Sequence, residues 1–252
     1  MLAPLYAVQT RARSPALRAA ADAARDLSDP RLPVAQTTAR LTETLMHWAG
    51  TLAMSPAQSL LVSCEDFSGH MPGRFGVPDY RAALPVTAAI RAALRHHLPQ
   101  HRLIFLFTTR DPASWLRAVH WQLSKHDDLT QGAPRFARSH ARAADFVSLL
   151  AALRAALPDT AVRDADLASL APRRLGPVEA ISDAAALPPA LRHTLPPPPH
   201  SNQTPPHDLA RVFVKLNRSD LPRAEVRRLK RAMLAAEDLL LGDGDLFAGP
   251  GP

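Results

Sequence analysis

The order of apolar and polar residues predicts short buried strands separated by amphipathic helices. Residues 103–107 read LIFLF between polar neighbours, and residues 59–64 read SLLVSC. Uninterrupted apolar runs of this length are typical of strands buried on both faces of a parallel sheet. A weaker third strand is expected across 160–162 and 164–167, where charged residues favour an edge position.

Apolar residues at a spacing of three and four predict helices between and after these strands. Ser14 and Pro15 mark the start of the first helix because serine caps a helix and proline suits its first turn. The helix that follows the 103–107 strand has its apolar stripe on Leu116, Val119 and Leu123. The predicted helices cover about 14–27, 37–52, 84–97, 112–125, 136–157, 177–185, 209–216 and 222–241.

Strands that alternate with helices favour an α/β fold in which helices flank a parallel sheet. Prolines 196–199, 205 and 206 cannot lie in a helix or a central strand, so residues 196–207 are expected to be an extended connector. We therefore predict an α/β domain over residues 1–195 and a C-terminal helical appendage with a frayed tail over residues 208–252.

Composition narrows the class of protein. Apolar residues make up 46% of the chain, but no run reaches the roughly 18 apolar residues of a membrane span. The N-terminus has no basic segment ahead of an apolar block, so we expect a cytoplasmic protein without a membrane partner. Cys64 is the single cysteine, which excludes an internal disulfide and a CxxC site, and we expect no metal.

The formal net charge of +7 is carried almost entirely by arginine, since Lys125, Lys215 and Lys230 are the only lysines. This charge permits an anionic ligand or nucleic acid as a partner. Nucleic acid is disfavoured because the 13 aromatic residues fall mostly on helical core stripes and are not interleaved with arginines. No feature of the sequence specifies an oligomeric state.

Arg110, Asp111 and Pro112 follow the 103–107 strand and lead into a helix. Ligands of open α/β sheets bind beyond the carboxyl ends of the strands, where helix N-termini favour anions. A guanidinium in such a turn is suited to bidentate binding of phosphate. The alternative is an ion pair of Arg110 with Asp111 or another surface carboxylate.

Glu65 and Asp66 follow the 59–64 strand directly. Carboxylates at a strand's carboxyl end lie where the acid and base groups of α/β enzymes are found. They are equally suited to capping the next turn or to facing water.

The segment SLLVSCEDFSG, followed about forty residues later by LIFLFTTRDPASWLRAVHWQ, resembles the bacterial sulfotransferase family. The resemblance covers residues 58–195 and implies a P-loop-NTPase-like parallel sheet and sulfuryl transfer from phosphoadenosine phosphosulfate (PAPS) to a hydroxyl or amine acceptor. It also implies that Arg110 binds the 3′-phosphate of PAPS and that Glu65 is the catalytic base. Ser114 and Lys125 are the further expected contacts to the anionic nucleotide, with Arg117 as the alternative to Lys125 for supplying positive charge.

Two features depart from that family. The family has a serine eight residues after its arginine, and this chain has Ala118 there. Ser114, one turn earlier, can substitute only if the helix is rotated or shifted. Residues 1–57 contain one glycine and no lysine, and they have no apolar run that predicts a strand. We therefore expect a sheet that is incomplete at its N-terminal strand, without the 5′-phosphosulfate loop, since Arg11 and Arg13 beside Thr10 resemble that loop only slightly.

These features lead to two alternatives for function. The first is a sulfotransferase-like protein whose transfer activity is weak or absent without the front loop. The second is a non-catalytic binding or scaffold protein that keeps the fold.

Overall fold

A computed structural model of the protein describes residues 6–126, 128–198 and 208–242, with side chains described as far as residue 236. Most of the predicted connector, residues 199–207, and the predicted frayed tail from residue 243 lie outside the described residues. None of the described helices is both long and apolar enough to cross a membrane.

Strands and helices alternate through most of the described chain, as an α/β fold requires. In chain order the elements are β1 (Tyr6–Thr10), α1 (Pro15–Ser28), α2 (Val34–Gly50), β2 (Ser59–Ser63), a 3₁₀ turn (Glu65–Ser68), α3 (Ala83–His97), β3 (Ile104–Thr109), α4 (Pro112–Ser124), α5 (Ala133–Ser139), a second 3₁₀ turn (Ala141–Ala144), α6 (Phe146–Ala156), β4 (Ala161–Asp166), α7 (Leu167–Leu170), α8 (Val178–Ala184), α9 (Pro189–Thr194), α10 (Leu209–Asn217) and α11 (Arg223–Gly242).

The chain forms two compact units, each made of two segments. The first unit comprises residues 1–112 and 140–199, and the second comprises residues 113–139 and 200–252. All four strands belong to the first unit, whereas α5, α10, α11 and nearly all of α4 belong to the second. The predicted domain boundaries, 1–195, 196–207 and 208–252, stay a prediction.

The strands of the first unit pair in parallel. β1 pairs with β2, with Thr10 opposite Ser63, and β3 pairs with β4, with Thr109 opposite Asp166. The three strands predicted from the sequence and their parallel direction are confirmed. Within the described residues no ladder of hydrogen bonds joins one pair to the other.

The expectation that residues 1–57 lack a strand is wrong, because β1 lies at Tyr6–Thr10. Its residues, YAVQT, are only partly buried, so they do not form the apolar run that marks a buried strand. Tyr, Val and Thr suit a half-buried pleated surface, and the pairing of Val8 with Leu61 supplies the partner that the local sequence does not show. A strand therefore lies ahead of β2 in the chain and pairs with it in parallel.

The strands are also less buried than their apolar runs predicted. Ile104 to Phe107 in β3 are half-buried, and β2 has exposed residues at both ends. A strand in a two-stranded ladder has one hydrogen-bonded neighbour, so less of its surface is covered than in the wide parallel sheet that the sequence suggested.

The core of the first unit lies between α1, α2 and α3. Fully buried Ala20 and Ala24 leave room for α2 to approach α1 closely, and Leu45 and Trp48 of α2 are completely buried there. Phe67 of the 3₁₀ turn packs against this cluster, with its ring centroid 6.1 Å from that of Trp48. The turn after β2 is thus held by the helical core.

Helix α4 belongs to the second unit from Ala113 onward and is buried on more than one side. Trp121 lies on the side opposite the predicted apolar stripe, yet it is buried and stacks on Phe213 of α10 with 5.6 Å between ring centroids. His120 is also buried and contacts the ring of Phe136. Both residues are packing residues within this unit.

The single helix predicted over 136–157 is wrong, because the chain forms α5 and α6 with a 3₁₀ turn between them. Asp145 caps α6, and its side chain accepts a hydrogen bond from the backbone N–H of Ser148 at 3.0 Å. A short carboxylate side chain that satisfies a free amide favours a new helix start over continuation of the previous helix.

Candidate functional site

The turns after β1 and β2 meet at one edge of the first strand pair. Parallel strands bring their carboxyl ends to the same edge, and here Thr10 lies opposite Ser63. The backbone amides of Arg13 and Ser14 both donate to the Thr10 carbonyl, at 3.0 and 3.1 Å. Because the turn is this tight, α1 begins at Pro15, shortly after β1 ends at Thr10.

The start of α1 has the cap that the sequence predicted. The Ser14 hydroxyl accepts a hydrogen bond from the Leu17 amide at 3.2 Å, and Pro15 occupies the first helical position. A 14-residue helix places the positive end of its dipole at this turn. The element is a strand–turn–helix unit, and the dipole and free amides of a helix N-terminus are favourable to negative charge.

Four charged side chains join this turn to α1 and to the turn after β2. The Arg11 guanidinium lies 2.7 Å from an Asp22 oxygen and 2.9 Å from an Asp66 oxygen. Arg25 approaches Asp66 at 3.5 Å and Asp22 at 3.8 Å. Asp66 is only 14% exposed, so this network is screened less than a surface ion pair and holds the two turns together.

Arg18 of α1 and Arg13 of the turn have different surroundings. Arg18 donates to the carbonyls of Arg11 and Ala12 at 3.5 and 3.4 Å, which supports the backbone of the turn. Arg13 is exposed and makes no ion pair or side-chain hydrogen bond with the described residues. Arg13 is therefore the cation of this turn that is available to a ligand.

Glu65 is the first residue of the 3₁₀ turn, directly beyond β2 and Cys64. Its side chain is exposed and has no ion-pair partner among the described residues, in contrast to the neighbouring Asp66. Burial, with a smaller contribution from the Asp66 carboxylate, raises the pKa of the Cys64 thiol to about 11. Cys64 is thus a protonated packing residue at neutral pH, and Glu65 is the exposed carboxylate of this turn.

The loop after this turn is anchored to the end of α1. Gly69 has a φ of +85°, and the next amide, that of His70, donates to the Ser28 hydroxyl at 2.7 Å. Arg31 lies over the ring of Phe75 with 4.2 Å to the centroid. His70 is buried, and its ring packs edge-on against that of Phe75 with 5.0 Å between the centroids.

Arg110 lies immediately after β3, whose last residue, Thr109, is opposite Asp166. Its side chain is exposed and forms no ion pair with Asp111 or with any other described residue. The alternative raised by the sequence, a surface ion pair with Asp111, is therefore not present. The guanidinium is available to an anion at the carboxyl end of a parallel strand.

Ser114 and Lys125 lie in the second unit, whereas Glu65 and Arg110 lie in the first. Ser114 is half-buried in the first turn of α4. Lys125 directly follows the last residue of α4. Its ammonium donates to the Gln122 side-chain oxygen at 3.0 Å and lies 4.7 Å from the centroid of the Trp121 ring. The roles in PAPS binding stay predictions for all four residues.

The sequence did not predict that Arg11 forms an ion pair with Asp66, or that Arg13 is exposed in the turn after a strand. The available signal was an arginine-rich turn directly before a capped helix, but without an apolar run it was not assigned to the end of a strand. Within the part of the chain that the structure describes, no three His, Cys, Asp or Glu side chains are grouped so as to hold a metal ion.

No protein-family model matches this chain, and no curated protein and no solved structure is significantly similar to it. Its function is therefore inferred from its own residues.

Proposed function

We propose that the protein is a sulfotransferase-like protein that binds PAPS at the carboxyl ends of its parallel strands. The observation that supports this proposal most is the β1–turn–α1 unit, in which a strand is followed by an arginine-containing turn and a capped helix. Such a unit favours a bound anion through its helix dipole and its cation.

The 5′-phosphosulfate would bind at the N-terminus of α1. Arg13, which is exposed and unpaired within the described residues, would contact its oxygens, and Ser14 keeps the helix start in place. Arg110 would bind the 3′-phosphate, because its guanidinium is likewise unpaired and follows a parallel strand. Two separate cations matched to two phosphate positions would give the nucleotide a single orientation.

In the proposed transfer, the Glu65 carboxylate accepts the proton of an acceptor hydroxyl while the acceptor oxygen attacks the sulfur of PAPS. The bond between that sulfur and the phosphate oxygen breaks, and adenosine 3′,5′-bisphosphate leaves with the electron pair. Glu65 suits the role of base because it is exposed and unpaired, whereas Asp66 is held by two arginines. Arg13 would stabilise the negative charge on the transferred group.

One observation favours the second candidate, a non-catalytic nucleotide-binding or scaffold protein. The Arg11 guanidinium, which lies in the turn itself, is engaged by Asp22 and Asp66. A cation that serves to hold two turns together is not available to stabilise the charge of a transferred sulfuryl group. In this version the nucleotide would bind and no transfer would follow.

Binding is tested by calorimetry with adenosine 3′,5′-bisphosphate. Arg110→Ala and Arg13→Ala are each expected to weaken the affinity at least tenfold, since each removes a charge-assisted contact. Arg102→Ala is the matched control, because Arg102 is an exposed arginine at the opposite end of the same strand as Arg110. Equal affinities for the wild type and Arg110→Ala would overturn the proposed site.

Transfer is tested separately by release of adenosine 3′,5′-bisphosphate from PAPS with phenol, sugar and amine acceptors. A sulfotransferase should turn over, and Glu65→Gln should lower its rate about 100-fold without changing nucleotide affinity. Binding without turnover for any of these acceptors would select the non-catalytic alternative.

A further inference from the structure

The four charged residues beside the turn after β1 form a closed network in which each carboxylate faces both guanidiniums. Arg11 lies 2.7 Å from Asp22 and 2.9 Å from Asp66, and Arg25 lies 3.8 and 3.5 Å from the same two residues. Two positive charges are thus balanced by two negative ones. The charge of Arg11 is neutralised in this arrangement, although Arg11 lies in the turn that leads into α1.

The contact between Arg11 and Asp22 is the weaker attachment of Arg11. The two side chains are 39% and 41% exposed, so water solvates both groups when the contact opens. Ion pairs of this exposure contribute little to stability, because solvent screens the attraction and the side chains lose freedom. Asp22 therefore holds Arg11 in place without binding it tightly.

Asp66 is different because its side chain is only 14% exposed, and a poorly solvated carboxylate left without a cation is strongly unfavourable. Arg25 provides against this. Arg11 contacts the Oδ2 atom of Asp66, whereas Arg25 approaches the other oxygen, Oδ1, from its fixed position on α1. Asp66 thus keeps a cation when Arg11 moves away, and Arg11 is the exchangeable member of the network.

Arg11 is also placed to meet a ligand at the start of α1. It directly follows the last residue of β1 and is two residues from Arg13, the exposed cation of the same turn. An anion that contacts Arg13 is within reach of the long side chain of Arg11. Phosphate and sulfate oxygens accept two parallel hydrogen bonds from one guanidinium, so such an anion can replace the carboxylates as its partner.

We propose that Asp22 and Asp66 form an autoinhibitory contact that regulates the anion site. They hold Arg11 until a 5′-phosphosulfate or 5′-phosphate draws it toward the start of α1, and Arg25 then keeps Asp66 paired. The inference rests on the proposed function, since it concerns the regulation of that site. The apparent affinity for the nucleotide is lowered by the fraction of molecules in which the carboxylates hold Arg11.

This exchange bears on the choice between the two candidate functions. With Arg11 held by Asp22 and Asp66, the transferred group has Arg13 as the cation of the turn. With Arg11 released, a second guanidinium can stabilise the charge that develops on the sulfuryl oxygens. The network is therefore a switch between a holding role and a ligand-binding role of one arginine.

The test is calorimetry of the full chain with adenosine 3′,5′-bisphosphate, whose 5′-phosphate probes the start of α1. Asp22→Asn should tighten binding by about threefold, since it removes an exposed ion pair that competes for Arg11. Arg11→Gln should weaken binding by about tenfold, since it removes a charge-assisted contact. In the Arg11→Gln background, Asp22→Asn should change nothing, because no arginine is left to release.

Asp26→Asn is the matched control, because Asp26 is an acidic residue of the same helix whose partner is Arg40. It should leave the affinity unchanged. Circular dichroism checks that each variant folds. Arg11→Lys is the second variant, since it keeps the charge and should still respond to Asp22→Asn.

An equal tightening by Asp22→Asn with and without Arg11 would overturn the inference, because the effect would then be general repulsion of the anion. No tightening by Asp22→Asn would overturn it as well. In both cases the proposed function stands if the wild type binds the nucleotide and Arg110→Ala weakens that binding. Absence of binding by the wild type and every variant would overturn both, whereas binding by Asp22→Asn alone would support a strongly inhibiting contact.

Discussion

The buried Lys230 ammonium donates a hydrogen bond to the side-chain oxygen of Asn217, with 2.5 Å between Nζ and Oδ1. The Asn217 amide nitrogen in turn donates to the carbonyls of His126 and Leu129, at 2.9 and 2.7 Å. Two residues of the C-terminal helices thus satisfy the backbone that follows α4. This network explains why the C-terminal helices and the segment from 113 to 139 form one compact unit.

Replacement of Lys230 by methionine is expected to destabilise the protein by about 2–4 kcal/mol. The substitution leaves the Ser124 carbonyl and the Asn217 side-chain oxygen without their donor, and each unsatisfied buried polar group costs about 1–3 kcal/mol. The His126 carbonyl keeps the hydrogen bond from the Asn217 amide nitrogen. Urea denaturation followed by circular dichroism measures the change in unfolding free energy.

Lys215→Met is the control for this substitution, because Lys215 is an exposed lysine on α10 and its replacement should change stability by less than about 0.5 kcal/mol. A double-mutant cycle of Lys230→Met with Asn217→Ala should show a coupling of at least about 0.5 kcal/mol. Additive effects would mean that the two residues act independently.

Gly69 is expected to reject alanine more strongly than Gly76 does. Both have positive φ, +85° and +79°, which a residue with a side chain disfavours. Gly69 also has a ψ of −167°, in a region essentially restricted to glycine, where a side chain costs about 1–3 kcal/mol. At Gly69 a Cβ would also come within 2.8 Å of the Ser28 Cβ, whereas at Gly76 the nearest atom is 3.9 Å away.

The difference between these two alanine variants reports the restricted backbone conformation of Gly69 together with its close approach to Ser28. Thermal unfolding should give a lower Tm for Gly69→Ala than for Gly76→Ala. Gly69→Ala should also disturb the turn that holds Glu65 and Asp66, and calorimetry would detect this as weaker nucleotide binding. Equal Tm values would mean that α1 moves aside at Ser28 without cost.

Asp29 should make the stability of the protein depend on pH in the acid range. Hydrogen bonds from the Arg31 side chain lower the pKa of this carboxyl from 3.8 to about 2. A carboxyl whose pKa is lowered on folding contributes stability above its unfolded pKa, and the contribution is lost as the pH falls from about 4 to 2.

The Asp29→Asn variant should therefore be less stable than the wild type by about 1 kcal/mol at pH 7, since Arg31 is 59% exposed and the pair is partly screened. The difference should shrink as the pH is lowered below 4. Urea denaturation at pH 7, 4 and 2.5 measures it, with exposed Asp220→Asn as the control. A constant difference at all three values would contradict the assigned cause.

Cys64 should react slowly with a thiol reagent in the folded protein. Since burial raises its pKa from 9.0 to about 11, the thiolate at pH 8 should be about 100-fold scarcer than for an ordinary cysteine. Labelling with a disulfide reagent at pH 8 should accordingly be about 100-fold faster in urea than in buffer. Asp66→Asn should increase the rate in buffer, because it removes a negative charge that disfavours the thiolate; no increase would argue against that charge effect.

The sequence predicted those elements whose signal is local. Apolar runs located β2 and β3, and the Ser14–Pro15 pair located the start of α1, because a strand buried by neighbours and a capped helix both leave a mark in adjacent residues. β1 was missed because it is short and half-buried, and its identity as a strand depends on hydrogen bonds to a segment more than fifty residues away.

The features of the candidate site also divide into those that the sequence predicted and those that depend on the folded chain. Glu65 and Arg110 were found because each follows a recognisable strand, but the exposed and unpaired state of both side chains is a property of the folded chain. Arg11 and Asp66 were separated by the length of α1 and α2 in the sequence, and only the pairing of β1 with β2 brings their charges to 2.9 Å.

By itself the amino-acid sequence determined the alternation of strands and helices, the parallel direction of the strands and the excess of arginine charge, since these depend on neighbouring residues and on composition. The tertiary structure alone decided which arginines are paired and which are available, and that Lys230 is buried against the end of α4. Such outcomes depend on contacts between distant segments, whose energies become defined only when the chain is packed.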